Sequence, residues 1–497
     1  MRPVQTSLSE DTPKVQTKID YNRKWYVMAA VAMGIFLATI DSSIVNIALP
    51  TLVRELNTDF ATIQWIVLVY LLTLATLILS FGRLGDMIGK KPVYATGFVV
   101  FTLGSILCGL SATVFWLVFF RVVQAIGATM ILALGMAIVT EAFPPRERGK
   151  ALGISGSIVS VGIVLGPTLG GLIIDAWSWN WIFFVNIPVG IIGILMVLRF
   201  IPDIKPAGEQ RFDLLGALAL FISVLSFLLA LTFGQGIGFV NIRILALFAT
   251  GTLLLILFVL IELRVEQPMI DLHLFKNKFF SISLITGFLT FIAISGTIIL
   301  IPFYLENVLS YNTRQIGLLL AAVPVAMGIV APIAGALSDR FGTRPIAVIG
   351  LSVLLVGYYG LSKLHIQTST FEYLLRFLPI GLGMGIFSSP NNSTIMGTAP
   401  RERLGIVSGI LAVNRTLGQM TGIALLGAIW ASRVIAYSDS SVVGGASNAE
   451  SVYQVAGLND TFSVAVVVIL AALILSVWSY IQDRREKKSL ALKSTRE

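Results

Sequence analysis

Charge is scarce in this chain. Of 497 residues only 12% are Asp, Glu, Lys or Arg, about half the share of a soluble domain, which excludes an ordinary water-facing surface. The single cysteine, Cys108, excludes an intrachain disulfide framework and a thiolate metal cluster. Only two histidines occur, His273 and His365, both in connecting stretches, so proton chemistry at membrane depth must rest on carboxylates. No GxxxxGK[ST] loop is found, which leaves an ATP motor in the chain unsupported. Residues 1–24 are polar, and the first apolar run exceeds the ~7–15 residues of a signal h-region, so the first span is expected to stay in the mature protein. No metal or cofactor is expected.

What is abundant is apolar sequence, 56% of residues. Roughly fourteen runs approach the ~20 residues that cross a bilayer. They begin near Trp25, Ala61, Pro92, Thr113, Ala151, Trp181, Asp213, Ile242, Phe279, Arg314, Pro345, Phe371, Gly405 and Thr461. Membrane-barrel strands of ~9–11 residues with alternating polarity do not fit. Basic residues fall in alternate loops: Arg23 and Lys24, then Arg83, Lys90 and Lys91, then Arg146, Arg148 and Lys150, and so on to Arg484 and Arg485. The positive-inside rule makes that side, and both termini, cytoplasmic. This explains the net charge of +9 without a nucleic-acid partner. The longest loop expected on the other side is Ser432–Asp460, and short loops point to a prokaryotic cytoplasmic (inner) membrane.

The chain repeats itself. GRLGDMIGKKP at Gly82–Pro92 returns as GALSDRFGTRP at Gly335–Pro345, PRERGKALG at Pro145–Gly153 returns as PRERLGIVSG at Pro400–Gly409, and Arg121 is matched by Arg376, all at an offset of about 255 residues. A constant offset means two similar halves. The expected fold class is an all-α integral membrane protein of fourteen transmembrane helices, with two six-helix pseudo-symmetric halves and two extra helices between them. The expected division is a cytoplasmic tail 1–24, a first half 25–202, the additional pair 203–265, a second half 266–482 and a tail 483–497. Two such halves with a site between them describe an alternating-access transporter.

Two charges lie where lipid depth forbids them. Asp41 falls in the first span, and a carboxylate near mid-bilayer costs on the order of 2.5–3.5 kcal/mol on insertion scales. Arg121 falls in the fourth. Counting from the outer ends at ~1.5 Å per residue puts them about 13 and 12 Å deep, at similar height. The plainer reading is a structural ion pair. The functional reading is that Asp41 takes up a proton or a cation while Arg121 governs its affinity, since a neighbouring cation and burial act oppositely on a carboxylate. Gly162, Gly166, Pro167, Gly170 and Gly171 put small residues on one face of a prolyl-kinked helix, which allows close helix approach. The second half keeps Gly418 and Gly422 and lacks the proline.

These residues resemble the major facilitator superfamily, and within it the fourteen-span drug:proton antiporter branch, over essentially the whole chain. Leu37–Pro50 (LATIDSSIVNIALP) is similar to that branch's first-helix signature, Gly82–Lys91 to the superfamily's loop between spans 2 and 3, Arg121-Val122-Val123-Gln124 with Gly127 to the fourth-span signature, and the Gly162–Gly171 stretch to the antiporter signature. Met87 departs from the usual basic residue, though Arg340 keeps it in the second copy, and Ala125 replaces a usual glycine.

The resemblance implies a multi-pass, monomeric, proton-coupled secondary antiporter, not an enzyme, exporting hydrophobic or cationic drugs and other amphipathic compounds. Its proton-coupling residues would be Asp41 and Arg121. Its gating motifs would comprise Gly82, Asp86, Gly89, Lys90, Arg146, Gly162, Gly166, Pro167, Gly170, Gly171, Asp339 and Arg340. Asp86 and Asp339, at helix ends, would latch the inner side, with Glu141 and Glu147 taking part. Candidate substrate-cavity residues are Trp65, Tyr70, Gln124, Phe377, Asn391 and Asn414. Glu306 reads first as an interfacial charge. Alternatives stay open: an exporter of lipid or an endogenous metabolite, an importer, and, from another class, a membrane acyl transferase, against which the absence of a buried histidine weighs.

Overall fold

A chain segment in hydrocarbon must satisfy its backbone within itself, so apolar runs of this length fold as helices. The computed structural model describes residues 23–144, 147–203, 214–265, 272–397, 404–438 and 445–494, and no strand occurs among them. The first half comprises α1 (Lys24–Glu55), a short α2 (Phe60–Ile63) leading into α3 (Trp65–Ile88), α4 (Lys90–Gly109), α5 (Val114–Ala142), α6 (Arg148–Ala176), and α7 (Trp181–Phe184) leading into α8 (Asn186–Phe200). Two helices follow, α9 (Leu214–Ile237) and α10 (Ile242–Glu262). The second half comprises α11 (Lys278–Phe303), continued by a π-helical turn Tyr304–Val308, then α12 (Thr313–Phe341), α13 (Thr343–Leu361), α14 (Thr370–Gly397), α15 (Leu404–Tyr437) and α16 (Ser451–Ser494).

Thirteen of these stretches are long and apolar enough to cross a membrane. The remaining expected span is α6, 29 residues long, which is also long enough to cross a bilayer. The fourteen-helix reading therefore stands. One boundary is corrected. The expected loop Ser432–Asp460 is shorter, because α15 runs to Tyr437 and α16 already starts at Ser451. The polar residues that suggested a loop are held by hydrogen bonds: Gln454 Nε2 donates to Ala449 O at 2.7 Å and Asn459 Nδ2 to Leu364 O at 3.0 Å.

The repeat is visible in the packing. In the first half α4 and α3 pack on α5, and α1 on α6; in the second α13 and α12 pack on α14, and α11 on α15. The signature loops break their helices alike. Gly89 has φ +102° and Gly342 φ +92°, a region where a side chain is strained and glycine is not. Outside this pair of bundles, α10 packs on α9, while α9 touches both α3 and α15 and so reaches both halves. Leu253, Ile256 and Leu260 of α10 are exposed, as a helix facing hydrocarbon requires.

We call the side carrying the start of α1 and the end of α16 the basic face. Toward the other face, one hydrophobic core is shared by both halves, from Ile44–Val53 and Phe60–Leu72 of the first to Phe303, Tyr304 and Trp430 of the second. Toward the basic face the core divides. One cluster, including Val31, Phe98 and Leu134, belongs to the first half alone; another, Phe280, Leu284, Ile395, Val407 and Ile410, belongs to the second. The halves are thus joined most firmly at the face opposite the basic one.

Candidate functional site

Helix α5 carries Arg121 and Gln124 three residues apart, which places both side chains on one face. That face meets α1, and α1 presents Asp41 to it. Arg121 Nη1 donates to Asp41 Oδ2 at 2.6 Å, and Gln124 Nε2 donates to Asp41 Oδ1 at 2.7 Å. From α8, Asn186 Nδ2 donates to the same Oδ1 at 3.0 Å. Arg121 also donates to Gln124 Oε1 at 2.7 Å and to the Ile66 carbonyl at 3.1 Å. Ser105 of α4 accepts from Gln124 at 2.7 Å. The guanidinium lies 4.2 Å from the ring centre of Tyr70, and the Tyr70 hydroxyl donates to Ala38 O at 3.4 Å. Five helices therefore meet around one ion pair, and Asp41 is 0% and Arg121 1% exposed.

The chemistry follows from the donor count. Both carboxylate oxygens of Asp41 receive N–H donors, so this arrangement fits the ionised form. A proton on Asp41 would occupy an acceptor lone pair, discharge the pair and leave a buried guanidinium uncompensated. Such a pair contributes little net stability while intact, yet removing one partner costs about 3–5 kcal/mol, because a naked charge stays buried. The cluster is therefore satisfied with Asp41 ionised and compensating Arg121. Among the described residues no His, Cys, Asp and Glu side chains gather as a metal site.

The expected contact between Asp41 and Arg121 is present. The expected cavity residues fare differently, and four are enclosed in this conformation. Gln124 and Tyr70 belong to the ion-pair cluster and are closed in protein. Phe377 is 2% exposed and packs on Tyr373, with ring centres 5.0 Å apart. Asn391 is buried between α14 and α11, donating to Ser283 O at 3.1 Å. In each case a polar or aromatic side chain within a span finds a partner between helices of its own half rather than an open wall. Asn414 is half-buried and donates to Leu284 O at 3.1 Å; Trp65 is half-buried against the shared core.

The gating residues divide by face. Gly162, Gly166 and Gly170 lie against Thr39, Ser43 and Ile44 of α1, and Ser43 donates to Gly162 O at 3.2 Å. Gly171 and Pro167 meet the second half: a Cβ on Gly171 would lie 2.5 Å from Thr313 O, and one on Gly317 would lie 2.4 Å from Pro167 O. Backbones of α6 and α12 approach closely there because Gly171 and Gly317 carry no side chain at the crossing. Arg54 of α1 pairs with Glu306 of the π-helical turn at the same face, so Glu306 clasps the two halves rather than being a simple interfacial charge.

At the basic face, Lys90 pairs with Glu141 and Lys24 with Glu147, each at 2.6 Å, and Arg344 pairs with Asp483; each of these stays within one half. Gly82 lies in α3 with open space beside it. Asp339 and Arg340 are exposed, with Arg340 5.3 Å from the Phe341 ring centre. Asp86 lies in α3, its side chain outside the described residues, as is the whole of Arg146.

The sequence reading missed Ser105, Asn186 and the Arg54–Glu306 clasp. The signal for Asn186 was available: a lone amide in an otherwise apolar span tends to face protein rather than lipid.

Two repeated membrane bundles, clasped at one face and holding a buried charge cluster, define a membrane transporter rather than an enzyme. Residues 31–423 match the Major Facilitator Superfamily. The chain is 35% identical to the riboflavin transporter RibZ of Clostridioides difficile over 92% of its own length and 97% of that protein. It is 33% identical to the multidrug resistance protein Stp of Mycobacterium tuberculosis, covering 82% of this chain and 75% of that one. Among solved structures, a bacterial homolog of the human lysosomal transporter Spinster, inward-facing and unoccupied, superposes with a TM-score of 0.63 at 18% identity, over 92% of this chain and 97% of that one. The chain belongs to the major facilitator superfamily.

Proposed function

We propose that the protein is a proton-coupled antiporter that exports amphipathic compounds, drugs among them, by alternating access, with Asp41 as the proton-coupling group and Arg121 as its counter-ion. The observation that carries this reading is the Asp41–Arg121–Gln124–Asn186 cluster: an ionisable carboxylate at membrane depth, fully enclosed and complete only in its charged form. Charged residues at such depth mark proton and ion pathways. In this reading the basic face is cytoplasmic, both termini lie inside, and the structure corresponds to an inward-facing state from which the proton has left. Protonation of Asp41 from outside would loosen α1 from α5. Since α1 also bears on α6, and α6 on α12 across the halves, the change would reach the clasp. The likeness to Stp and other named multidrug transporters supports a drug-like cargo, and no cofactor is needed beyond the proton gradient.

The test is transport in inverted membrane vesicles with an imposed pH gradient, using ethidium and riboflavin as probes. Wild-type protein should accumulate a probe when the gradient is present and stop when it is collapsed. Asp41→Asn should insert normally and show no gradient-driven uptake. Full uptake by Asp41→Asn would sink the proposal. A second reading, carriage of a flavin-like metabolite, is favoured by the likeness to RibZ across nearly both full lengths; gradient-driven uptake of riboflavin without ethidium would select it.

A further inference from the structure

Helix α15 carries one exposed residue between positions 409 and 432, and it is a cation, Arg415. It lies eleven residues into the helix, about 16 Å from its end at the basic face. No exposed large apolar side chain accompanies it along that stretch, in contrast to α10, so this surface is not fitted to lipid. An arginine facing hydrocarbon at such depth would be costly. Arg415 nonetheless lies beside a neighbouring helix, its guanidinium near Phe291 of α11. Exposure combined with depth belongs to the wall of a concavity.

The neighbours fix which wall. Gly418 and Gly422, on the same helical face, press on Phe288, Phe291 and Ile292 of α11, and Asn414 donates to Leu284 O of that helix. The Arg415 guanidinium carbon lies 5.9 Å from the ring centre of the half-buried Phe291. Of the α11–α15 pair, α11 touches α1 and α15 touches α3 of the first half. Arg415 thus stands on the side of its half that faces the other half, where alternating access places the substrate. No described residue pairs with it. The carboxylate at membrane depth in the first half, Asp41, already has its oxygens taken by Arg121, Gln124 and Asn186.

We infer that Arg415 is a specificity-determining residue of the central site and that the cargo is an amphipath bearing an anionic group, a carboxylate or a phosphate, with an aromatic body seated against Phe291. This rests on the transporter reading above and narrows its substrate class. The guanidinium offers forked N–H donors to an oxyanion, and its uncompensated charge opposes a cation in the same place.

The test is binding to the purified full-length protein in lipid nanodiscs, read by fluorescence anisotropy with two dyes on one xanthene scaffold, anionic fluorescein and cationic rhodamine 6G. Wild-type protein should bind fluorescein more tightly. Arg415→Gln should weaken fluorescein roughly ten- to a hundredfold while rhodamine 6G binding holds or tightens, which also reports an intact fold. Arg415→Lys should recover most of the loss. Unchanged fluorescein affinity in Arg415→Gln, or a wild-type preference for rhodamine 6G, overturns the inference. The assay needs no proton gradient, so Arg415-dependent binding that survives in Asp41→Asn supports the inference even if that variant upsets the coupling scheme.

Discussion

The two halves of this molecule share a fold and a repeated sequence, yet among the described residues only the first holds a fully enclosed ion pair. Arg121 and Arg376 hold corresponding places early in α5 and α14. Arg121 reaches across to Asp41 and is enclosed. Arg376 instead pairs with Glu372 one turn away on its own helix, caps the Lys363 carbonyl, and keeps a fifth of its side chain exposed. The reason lies on the facing helix. At the repeat offset, Asp41 corresponds to Gly296 of α11, where a Cβ would lie 2.3 Å from Leu426. The second half fills with apolar packing the space that the first fills with a carboxylate. A shared backbone arrangement can thus assign proton chemistry to one half and leave the other, with Arg415 and the glycines of α15, to shape the cargo site.

The sharpest way to break this contrast is to remove each arginine in turn. Arg121→Ala should lower stability by about 3–5 kcal/mol and abolish transport, seen as a depressed melting temperature in detergent and loss of vesicle uptake. Arg376→Ala should cost below about 1 kcal/mol, as a partly exposed pair on one helix does. Equal losses would show that the halves are not differentiated as described.

A middle-sized effect compares the two glycine seams. A Cβ at position 422 would meet only fixed backbone, Ile292 O at 2.2 Å and its C and Cα at 2.8 Å, whereas one at position 166 would meet the Ser43 hydroxyl, which can rotate, and more loosely the Ser43 Cβ at 2.8 Å and Ile44 N at 3.1 Å. Gly422→Ala should therefore destabilise by about 1–3 kcal/mol, as overpacking does, and by more than Gly166→Ala, measured by the same melting assay. The smallest effect is expected at the clasp. Arg54 is largely exposed, so Glu306→Gln should shift the balance toward opening at that face by less than about 1 kcal/mol. Labelling of a cysteine placed at position 47 should rise modestly, and high salt should mimic the variant.

Much of this was legible in the chain. Run length and the alternation of basic loops gave the spans, since lipid permits few alternatives, and the repeat gave the halves. Depth counting along two helices put Asp41 and Arg121 level, and they meet. The cavity residues were harder. An aromatic or amide within a span faces inward, but inward includes the interior of each bundle, and sequence periodicity does not separate that from a central wall. Phe377 and Asn391 lie inside the second bundle in this conformation. Ser105 and Asn186 were missed because each enters the cluster from a helix whose charges lie only at its end, Lys90 and Lys91 on α4 and Arg199 on α8, with none at membrane depth to draw attention. The clasp escaped notice because Arg54 and Glu306 sit at helix ends, where charges are ordinary.

The central claim is that Asp41 itself gains and loses a proton as the protein cycles. Infrared difference spectroscopy of the reconstituted protein across a pH titration reads this directly, through the carbonyl stretch of a protonated carboxyl group. The account predicts a component of such a band in wild-type protein at acid pH that is missing from Asp41→Asn, beyond the signal of the other carboxyl groups. The same band at the same intensity in Asp41→Asn would contradict it.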